Sequence, residues 1–239
     1  MEQPVLAVQR SATDRRWQWR GAPLPLGAAG GLGVDDLAAQ LLLSRGCAAE
    51  QIQRTLKPSL RDWLPDPSIF RGMDETVARL ADAVARGEKI ILFADYDVDG
   101  ATSAAFLWRQ LRSLGAEVAP YIPDRILEGY GPSAEALLAL QRDGASLVVL
   151  LDCGTQAFAP LEAARDAGLD ILVVDHHKAS TRLPPALAIV NPNRLDESSE
   201  AAGFGTLCTA GLAFLVGVAL NRELRRRGFF ATRAEPDLA

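Results

Sequence analysis

The sequence predicts an α/β fold in which a parallel sheet of about five strands carries helices on both faces. Two observations support this prediction. Five short apolar runs alternate with longer amphipathic stretches between residues 89 and 190, and such alternation is typical of βαβ units. The runs are apolar along most of their length rather than at every second position, as in strands that are buried on both faces of a parallel sheet.

A small helical segment is expected before the sheet. Residues 1–34 combine tryptophan, arginine and a Gly/Ala/Pro-rich stretch over Gly21–Gly33 without a sustained period, which indicates an irregular arm and a linker. We expect an N-terminal arm and helical segment over residues 1–72 and the α/β domain over residues 73–239. The predicted helices are two short ones within Asp35–Leu56, then Met73–Arg86, 101–114, 132–143, 158–167 and Gly205–Arg227, and the predicted strands are Lys89–Ala94, Glu117–Ile122, Ser146–Leu151, Leu169–Val174 and Leu187–Val190.

Composition limits the class of protein. Of the 239 residues, 49% are hydrophobic and 23% are charged, which argues against a disordered or fibrous protein. The net charge of −5 argues against a protein that coats nucleic acid generally, but it leaves room for a local basic groove. An acidic excess also arises where carboxylates gather to hold metal ions.

Neither a membrane segment nor a disulfide framework is indicated. The longest uncharged apolar run, Leu207–Leu220, is shorter than the ~20 residues that a bilayer requires, and it predicts a buried helix. The three cysteines, Cys47, Cys153 and Cys208, form no Cys-x-x-Cys pair. We therefore expect a reducing, cytoplasmic setting and no membrane partner.

Polar clusters follow three of the predicted strands at the point where each strand ends. Because ligands bind beyond the carboxyl ends of the strands in an open parallel sheet, these clusters are expected to meet at one edge. They are Asp95-Tyr96-Asp97-Val98-Asp99-Gly100 after the first run, Asp152-Cys153-Gly154 after the third, and Asp175-His176-His177-Lys178 after the fourth.

Such crowded carboxylates repel one another unless a divalent cation lies between them. Carboxylates with an imidazole and few thiols suit Mn²⁺ or Mg²⁺. A two-metal pair with a bridging carboxylate can generate hydroxide and clamp a phosphoryl group.

These residues also fit other interpretations. Asp-x-Asp-x-Asp-Gly also opens an EF-hand loop, but the glutamate required at its twelfth position is replaced by Phe106. Asp95 alone is as well explained as the cap of a helix that begins near Gly100. The only two histidines, His176 and His177, are adjacent after a buried strand, which favours a ligand or phosphate contact over a structural role.

Four further residues are candidate substrate contacts. Thr102 and Ser103 occupy the first turn of a predicted helix, where free N–H groups can cradle a phosphate, although ordinary helix-start residues would look the same. In the Gly-rich segment 123–131, Arg125 is suited to grip a phosphate and Tyr130 to stack on a base. Turn chemistry alone would explain the glycines of that segment.

The three polar clusters occur in the order and spacing of the first three motifs of the DHH phosphoesterase superfamily. Within it, the chain resembles the single-stranded-DNA-specific exonucleases from about Leu56 onward. The supporting segments are Leu64-Pro65-Asp66-Pro67 leading to Met73-Asp74, Asp124-Arg125, Glu128-Gly129-Tyr130-Gly131, Asn191-Pro192-Asn193 and Leu207-Cys208-x-Ala-Gly-x-Ala-Phe214.

This resemblance implies an enzyme dependent on Mn²⁺ or Mg²⁺, with two ions, that removes nucleotides from the 5′ end of single-stranded DNA during repair and recombination. A single-strand-binding protein and a helicase are candidate partners. By the resemblance, the metal ligands are Asp97, Asp99, Asp152 and His176, with Asp152 as the bridge and Asp95 as a further candidate; His177 contacts phosphate and Asp175 orients a histidine.

The superfamily's fourth motif, with another metal-binding aspartate, and its second domain would follow after Ala239. Asp237 lacks the pattern of that motif and is not assigned its role. The resemblance therefore predicts a fragment that binds metal weakly and cleaves poorly. Two other functions stay open: a DHH phosphodiesterase of short oligonucleotides or cyclic dinucleotides, and a non-catalytic DHH-fold scaffold in replication or repair.

Overall fold

Residues 4–18 and 27–238 are described by the computed structural model. They divide into two units, one up to Pro65 and one from Asp66 onward. The irregular arm and linker predicted within residues 1–34 lie partly outside the described residues. The domain limits predicted at residues 72 and 73 stay a prediction.

The described part of the first unit contains a hairpin-like segment and three short α-helices. Backbone hydrogen bonds join Val5 and Val8 to Trp17 across residues 4–18. The two predicted helices are present, and the side chain of Asp35 caps the first by accepting from Ala38 N–H at 2.8 Å. A third helix, capped by Ser59, lies between these two and the helix predicted from Met73. The helices are α1 (Asp36–Ser44), α2 (Ile52–Leu56) and α3 (Leu60–Trp63).

The second unit is built on the predicted parallel sheet of five strands. The strands are β1 (Ile90–Ala94), β2 (Val118–Tyr121), β3 (Leu147–Leu151), β4 (Asp170–Val174) and β5 (Ala188–Val190). Their order is β2-β1-β3-β4-β5, and every neighbouring pair is parallel. All residues of β1 and β3 are buried, as the uniformly apolar runs predicted.

Six helices accompany the sheet, and they cover both of its faces. They are α4 (Met73–Arg86), α5 (Val98–Ser113), α6 (Ala134–Arg142), α7 (Phe158–Asp166), α8 (Ser199–Ala202) and α9 (Thr209–Arg226). Helix α9 packs against α4 and α5 on one face. On the other face, α6 and α7 pack together over alternate sheet residues such as Phe93, Leu150 and Val173.

Two predicted helix starts differ from the observed ones. Helix α5 begins at Val98 rather than at residue 101, because Asp97 caps it. The helix predicted from Gly205 begins at Thr209, and the one-turn helix α8 precedes it. Among the described residues, no helix combines the length and apolar character needed to cross a membrane.

The strand order places the polar clusters together. Strand β3 pairs with β1, and the chain leaves these two strands in opposite directions. From β1 it crosses to β2 on one side, whereas from β3 it crosses to β4 on the other. Connections that leave in opposite directions open a crevice at the carboxyl ends of the two strands. The residues that follow β1 and β3 lie at this switch point, and those that follow β4 are beside them.

Candidate metal centre

The acidic segment after β1 packs tightly against the start of α5. The Oδ1 atom of Asp97 accepts from Gly100 N–H at 3.0 Å and so caps the helix, whereas Asp95 accepts from Tyr96 N–H at 2.8 Å. The alternative that Asp95 caps this helix is therefore wrong, because Asp95 still lies at the strand end. Asp95 is 5% exposed, and burial raises its pKa.

Gly100 permits this close packing. A Cβ atom at this position would collide with the backbone carbonyl oxygen of Asp95. Only a glycine lets the first turn of α5 approach the end of β1 so closely. The glycine after the three aspartates is therefore required by packing.

Asp152 follows β3 in a strained and buried position. Its φ of 62° lies in the left-handed region, which Asp and Asn occupy more readily than most residues. The Thr209 hydroxyl donates to its Oδ1 at 2.9 Å, and the Tyr130 hydroxyl donates to its backbone carbonyl at 3.3 Å. Burial, followed by repulsion from Asp99 and Asp97, raises the pKa of Asp152 to about 7, although the hydrogen bond from Thr209 opposes this rise.

Asp175 organises the loop after β4. Its Oδ1 atom accepts from the backbone N–H groups of His176 and His177, at 2.7 and 3.1 Å, and lies 2.7 Å from the His177 Nδ1 atom. Its Oδ2 atom accepts from Thr155 N–H at 3.1 Å. Burial by itself would raise the pKa of Asp175, but the hydrogen bonds from His177 and Thr155 outweigh it, so that the pKa is lowered.

His177 is held as a cation by this carboxylate. The hydrogen bond with Asp175 raises the pKa of His177 to about 9 against the opposing effect of burial. The protonated ring donates from Nδ1 to Asp175, and its Nε2–H remains as a second donor. Asp175 therefore fixes the orientation of the His177 ring, and its expected role in a metal centre stays a prediction.

The three clusters converge on Asp152. Among the described residues, two sets of side chains bring one ligand atom each to within 4.8 Å of one another. His176 Nε2 lies 3.4 Å from Asp152 Oδ1 and 3.8 Å from Asp99 Oδ2. The sets are Asp95, Asp97 and Asp152, and Asp152, His176 and His177. Carboxylate oxygens and imidazole nitrogens around one shared carboxylate fit a pair of Mn²⁺ or Mg²⁺ ions.

Asp99 makes a different contact. Its two carboxylate oxygens accept from the backbone N–H groups of Thr209 and Ala210, both at 2.7 Å, and so cap α9. Asp99 borders the two sets without belonging to either. Its expected role as a metal ligand stays a prediction. The capping contact was missed from the sequence because its partners are 110 and 111 positions away.

The loop between β2 and α6 lies beside the acids. The guanidinium of Arg125 lies 5.3 Å from the centre of the Tyr96 ring, and this cation also lowers the pKa of Asp95 slightly against burial. The Tyr130 side chain is 58% exposed, and its ring meets the His177 ring edge-on at 6.2 Å. Both predicted substrate contacts are therefore exposed next to the cluster.

The two candidates in the first turn of α5 are placed differently. Thr102 is exposed to solvent. Ser103 is fully buried, and its hydroxyl donates to the Asp99 carbonyl at 2.7 Å within the helix. The structure does not bring Ser103 to a position where it can reach a substrate, because its side chain faces the interior.

Several supporting residues carried no predicted role. Asn191 Nδ2 donates to the Thr155 hydroxyl and to the His177 carbonyl, both at 2.9 Å. Asn193 Nδ2 donates to the His176 carbonyl at 2.6 Å. Both asparagines follow β5 and brace the histidine loop. The available signal was the polar Asn-Pro-Asn segment directly after the last apolar run, at the same edge as the other clusters.

The parallel sheet, with carboxylates and imidazoles gathered at its switch point, defines this domain as an α/β domain with a candidate metal centre. Residues 89–232 match the sequence model of the family described as "DHH family, N-terminal domain". The chain belongs to the DHH family.

Two relatives of this chain are much longer than the chain itself. It is 37% identical over 194 residues to the single-stranded-DNA-specific exonuclease RecJ of Bacillus subtilis, which covers 81% of this chain and 24% of that protein. It is 37% identical over 210 residues to the same-named protein of Escherichia coli, covering 86% of this chain and 35% of the relative. The chain thus spans about a quarter to a third of these relatives.

Solved structures agree with this assignment. RecJ of Thermus thermophilus in complex with Mn²⁺ superimposes with a TM-score of 0.65 at 31% identity, over 87% of this chain and 29% of that one. A second structure, exonuclease RecJ bound to manganese, gives a TM-score of 0.58 at 35% identity, over 65% of this chain and 38% of that one.

Proposed function

We propose that this chain supplies the acidic, metal-binding part of a 5′-to-3′ single-stranded-DNA exonuclease active site. The observation that carries the proposal is that Asp152 belongs to both ligand sets at the switch point of the sheet. Asp95, Asp97 and Asp152 would hold one Mn²⁺ or Mg²⁺ ion, and Asp152 and His176 a second, with Asp99 at the border. Such ions, when bound, lower the pKa of water and neutralise charge on a phosphoryl group.

The chain's own residues position the substrate. His177, protonated through its contact with Asp175, presents Nε2–H as a donor to a phosphate oxygen. The exposed guanidinium of Arg125 adds a second cation, and the exposed ring of Tyr130 offers a face for the terminal base. Thr102, exposed at the start of α5, is a further phosphate contact.

This function fits single-stranded DNA as the macromolecular partner, with roles in DNA repair and recombination. A single-strand-binding protein and a helicase are the further partners we infer, since they generate and cover such substrates. We also propose a cytoplasmic location. Three free cysteines, one of them exposed, are compatible with a reducing compartment.

Metal binding by the full chain tests the proposal most directly, and it requires no cleavage. Mn²⁺ is titrated calorimetrically into the wild type, into Asp152→Asn and into Asp143→Asn, whose carboxylate is exposed at the end of α6. We expect Asp152→Asn to lose affinity at least about 100-fold, as expected for a shared ligand. Asp143→Asn should bind as the wild type does. Equal binding by all three proteins would contradict the proposal.

Cleavage then separates the enzyme functions. A long 5′-phosphorylated single strand and a dinucleotide are incubated with Mn²⁺ and each variant. Release of mononucleotides from the long strand, lost in Asp152→Asn and kept in Asp143→Asn, supports the exonuclease. Cleavage of the dinucleotide alone would indicate a phosphodiesterase of short substrates, and metal-independent binding without cleavage would indicate a scaffold.

A further inference from the structure

We propose that the first unit carries its own binding surface for single-stranded DNA, formed by Arg15, Arg16, Trp17 and Arg45. We call this surface the arginine–tryptophan patch. The choice of single-stranded DNA as its partner rests on the proposed function, but the patch lies within the unit that ends at Pro65 and uses no residue of the metal centre.

The patch surrounds a real cavity. Its four residues, together with apolar and hydroxyl side chains such as Leu41 and Thr13, line a space of about 500 Å³. The Trp17 side chain is 49% exposed. An exposed indole beside an open cavity is able to stack on a flat ring.

The backbone holds Trp17 in place. Its N–H donates to the Val8 carbonyl at 3.1 Å, and its carbonyl accepts from Val5 N–H at 3.1 Å. The turn of this hairpin is closed by Ser11 N–H, which donates to the Arg15 carbonyl at 2.8 Å. The backbone that carries Arg15 and Trp17 is therefore fixed before any ligand arrives, which reduces the entropy lost on binding.

Charge at the patch is positive although the whole chain is acidic. The net charge of the chain is −5, yet residues 4–18 contain three arginines and one aspartate. That aspartate, Asp14, pairs with Arg10, and none of the described residues that line the cavity is acidic. Arg45 is held at the rim because its Nη1 donates to the Leu41 carbonyl at 3.3 Å.

A second tryptophan of the same unit shows what an occupied indole looks like. The Arg54 guanidinium lies 4.4 Å from the centre of the Trp63 ring, and Trp63 Nε1 donates to the Arg54 carbonyl at 3.1 Å. That ring face is already covered by a cation. Trp63 is therefore a structural residue and not part of the patch.

Arginines around an exposed indole match the two repeating features of a single strand. Guanidinium groups pair with phosphates, and the indole stacks on a base whose face is free. A duplex offers the phosphates but hides the base faces. The patch therefore favours a single strand of any sequence over a duplex.

Fluorescence anisotropy with a fluorescein-labelled oligo-dT strand tests this inference on the full chain, in EDTA so that no cleavage occurs. Base stacking on an aromatic ring predicts that Trp17→Ala raises Kd at least about fivefold, whereas Trp17→Phe stays within about threefold. The double variant Arg15→Ala/Arg45→Ala should lose about 1.4 from the slope of log K against log salt concentration. Arg61→Ala, which removes an exposed cation outside the cavity, should change Kd less than about twofold.

Several results would overturn the inference. These are an unchanged Kd in Trp17→Ala and in the double arginine variant, an equal loss in Arg61→Ala, equally tight binding of a duplex of the same length, or tighter binding of a poly-glutamate peptide than of the oligonucleotide. Should Trp17→Ala unfold by circular dichroism, the double arginine variant and the comparison with the duplex still decide the question.

The metal centre is tested separately in the same samples. Asp143→Asn, whose exposed carboxylate lies outside both sites, should bind the strand in EDTA as tightly as the wild type does, and the patch variants should bind Mn²⁺ normally. Loss of Mn²⁺ binding with an intact Trp17 effect would remove the proposed function and leave the patch. Normal Mn²⁺ binding without a Trp17 effect would remove the patch and leave the proposed function.

Discussion

Replacing Asp152 by asparagine should stabilise the ion-free protein at alkaline pH while it destroys metal binding. The side chain of Asp152 is 2% exposed, and its carboxylate is repelled by two nearby aspartates. Asparagine has almost the same shape and tolerates the left-handed φ of 62° as well as aspartate does. It can also accept the hydrogen bond from the Thr209 hydroxyl, so the substitution removes little except the charge.

The size of the effect follows from the raised pKa. A rise from 3.8 to about 7 in the folded state, at about 1.4 kcal/mol for each pKa unit, limits the destabilisation by the charged form to about 4 kcal/mol. The asparagine amide gains donors that the crowded site satisfies only in part, which removes about 1–2 kcal/mol of the gain. We therefore expect Asp152→Asn to raise the free energy of unfolding by roughly 2 kcal/mol at pH 8.

The sign of the pH dependence is fixed by the direction of the shift. Because the folded state raises the pKa of Asp152, protonation of this group stabilises the fold below about pH 4, and that contribution is lost as the pH rises through about 7. The advantage of Asp152→Asn over the wild type should therefore grow between pH 5 and pH 8.

Urea unfolding in EDTA, followed by circular dichroism at several pH values, measures this difference. Asp143→Asn, with its exposed carboxylate, is the matched control and should show no pH-dependent advantage. Adding Mn²⁺ at about 100 times its wild-type Kd should then stabilise the wild type by about 2.7 kcal/mol and Asp152→Asn by no more than about 0.4 kcal/mol. A variant that is less stable than the wild type at pH 8 in EDTA would refute the account of a repelled, buried carboxylate.

Three further changes test the packing and the hydrogen bonds of the site. Gly100→Ala should lower the free energy of unfolding by about 1–3 kcal/mol, measured by urea unfolding, because its Cβ would meet the carbonyl of Asp95; an unaffected protein would show that α5 can move away. Asp175→Asn should lower the pKa of His177 from about 9 towards its ordinary value, measured by NMR titration of the ring protons; an unchanged pKa would exclude the carboxylate as the cause. Thr209→Val should weaken Mn²⁺ binding about 10-fold by calorimetry, since it removes a hydrogen bond to the shared carboxylate, whereas Thr209→Ser should bind normally.

The sheet and the main helices were predictable because their signals are local. Each strand is a short apolar run bounded by polar residues, and β1 and β3 are fully buried as their composition requires. The short helices α3 and α8 escaped prediction because a four-residue helix is too short to show a period. The start of α5 was misplaced because three aspartates at alternating positions can each serve as a cap.

The site was predictable in its parts but not in its connections. The rule that ligands bind beyond strand ends was enough to bring Asp95, Asp152 and His176 to one edge. No local pattern indicates that Asp99 caps a helix that begins 110 positions later, or that the hydroxyl of Thr209 reaches a carboxylate after β3. Such contacts depend on how α9 packs over the sheet, which only the tertiary structure specifies.

The distribution of hydrogen-bond donors explains why the proposed ions would stabilise the carboxylate of Asp152 more than its neighbours. Asp97 accepts from one backbone N–H group, Asp99 from two, and Asp175 from three backbone groups and one ring nitrogen. These contacts stabilise the charge on each of the three carboxylates. Asp152 is as deeply buried as Asp175, but its carboxylate accepts from one hydroxyl donor, at 2.9 Å, and the His176 ring nitrogen lies farther away, at 3.4 Å. A cation beside Asp152 would therefore offset both the cost of burying its charge and the repulsion from its neighbours. A carboxylate that is shared by two ions requires such surroundings.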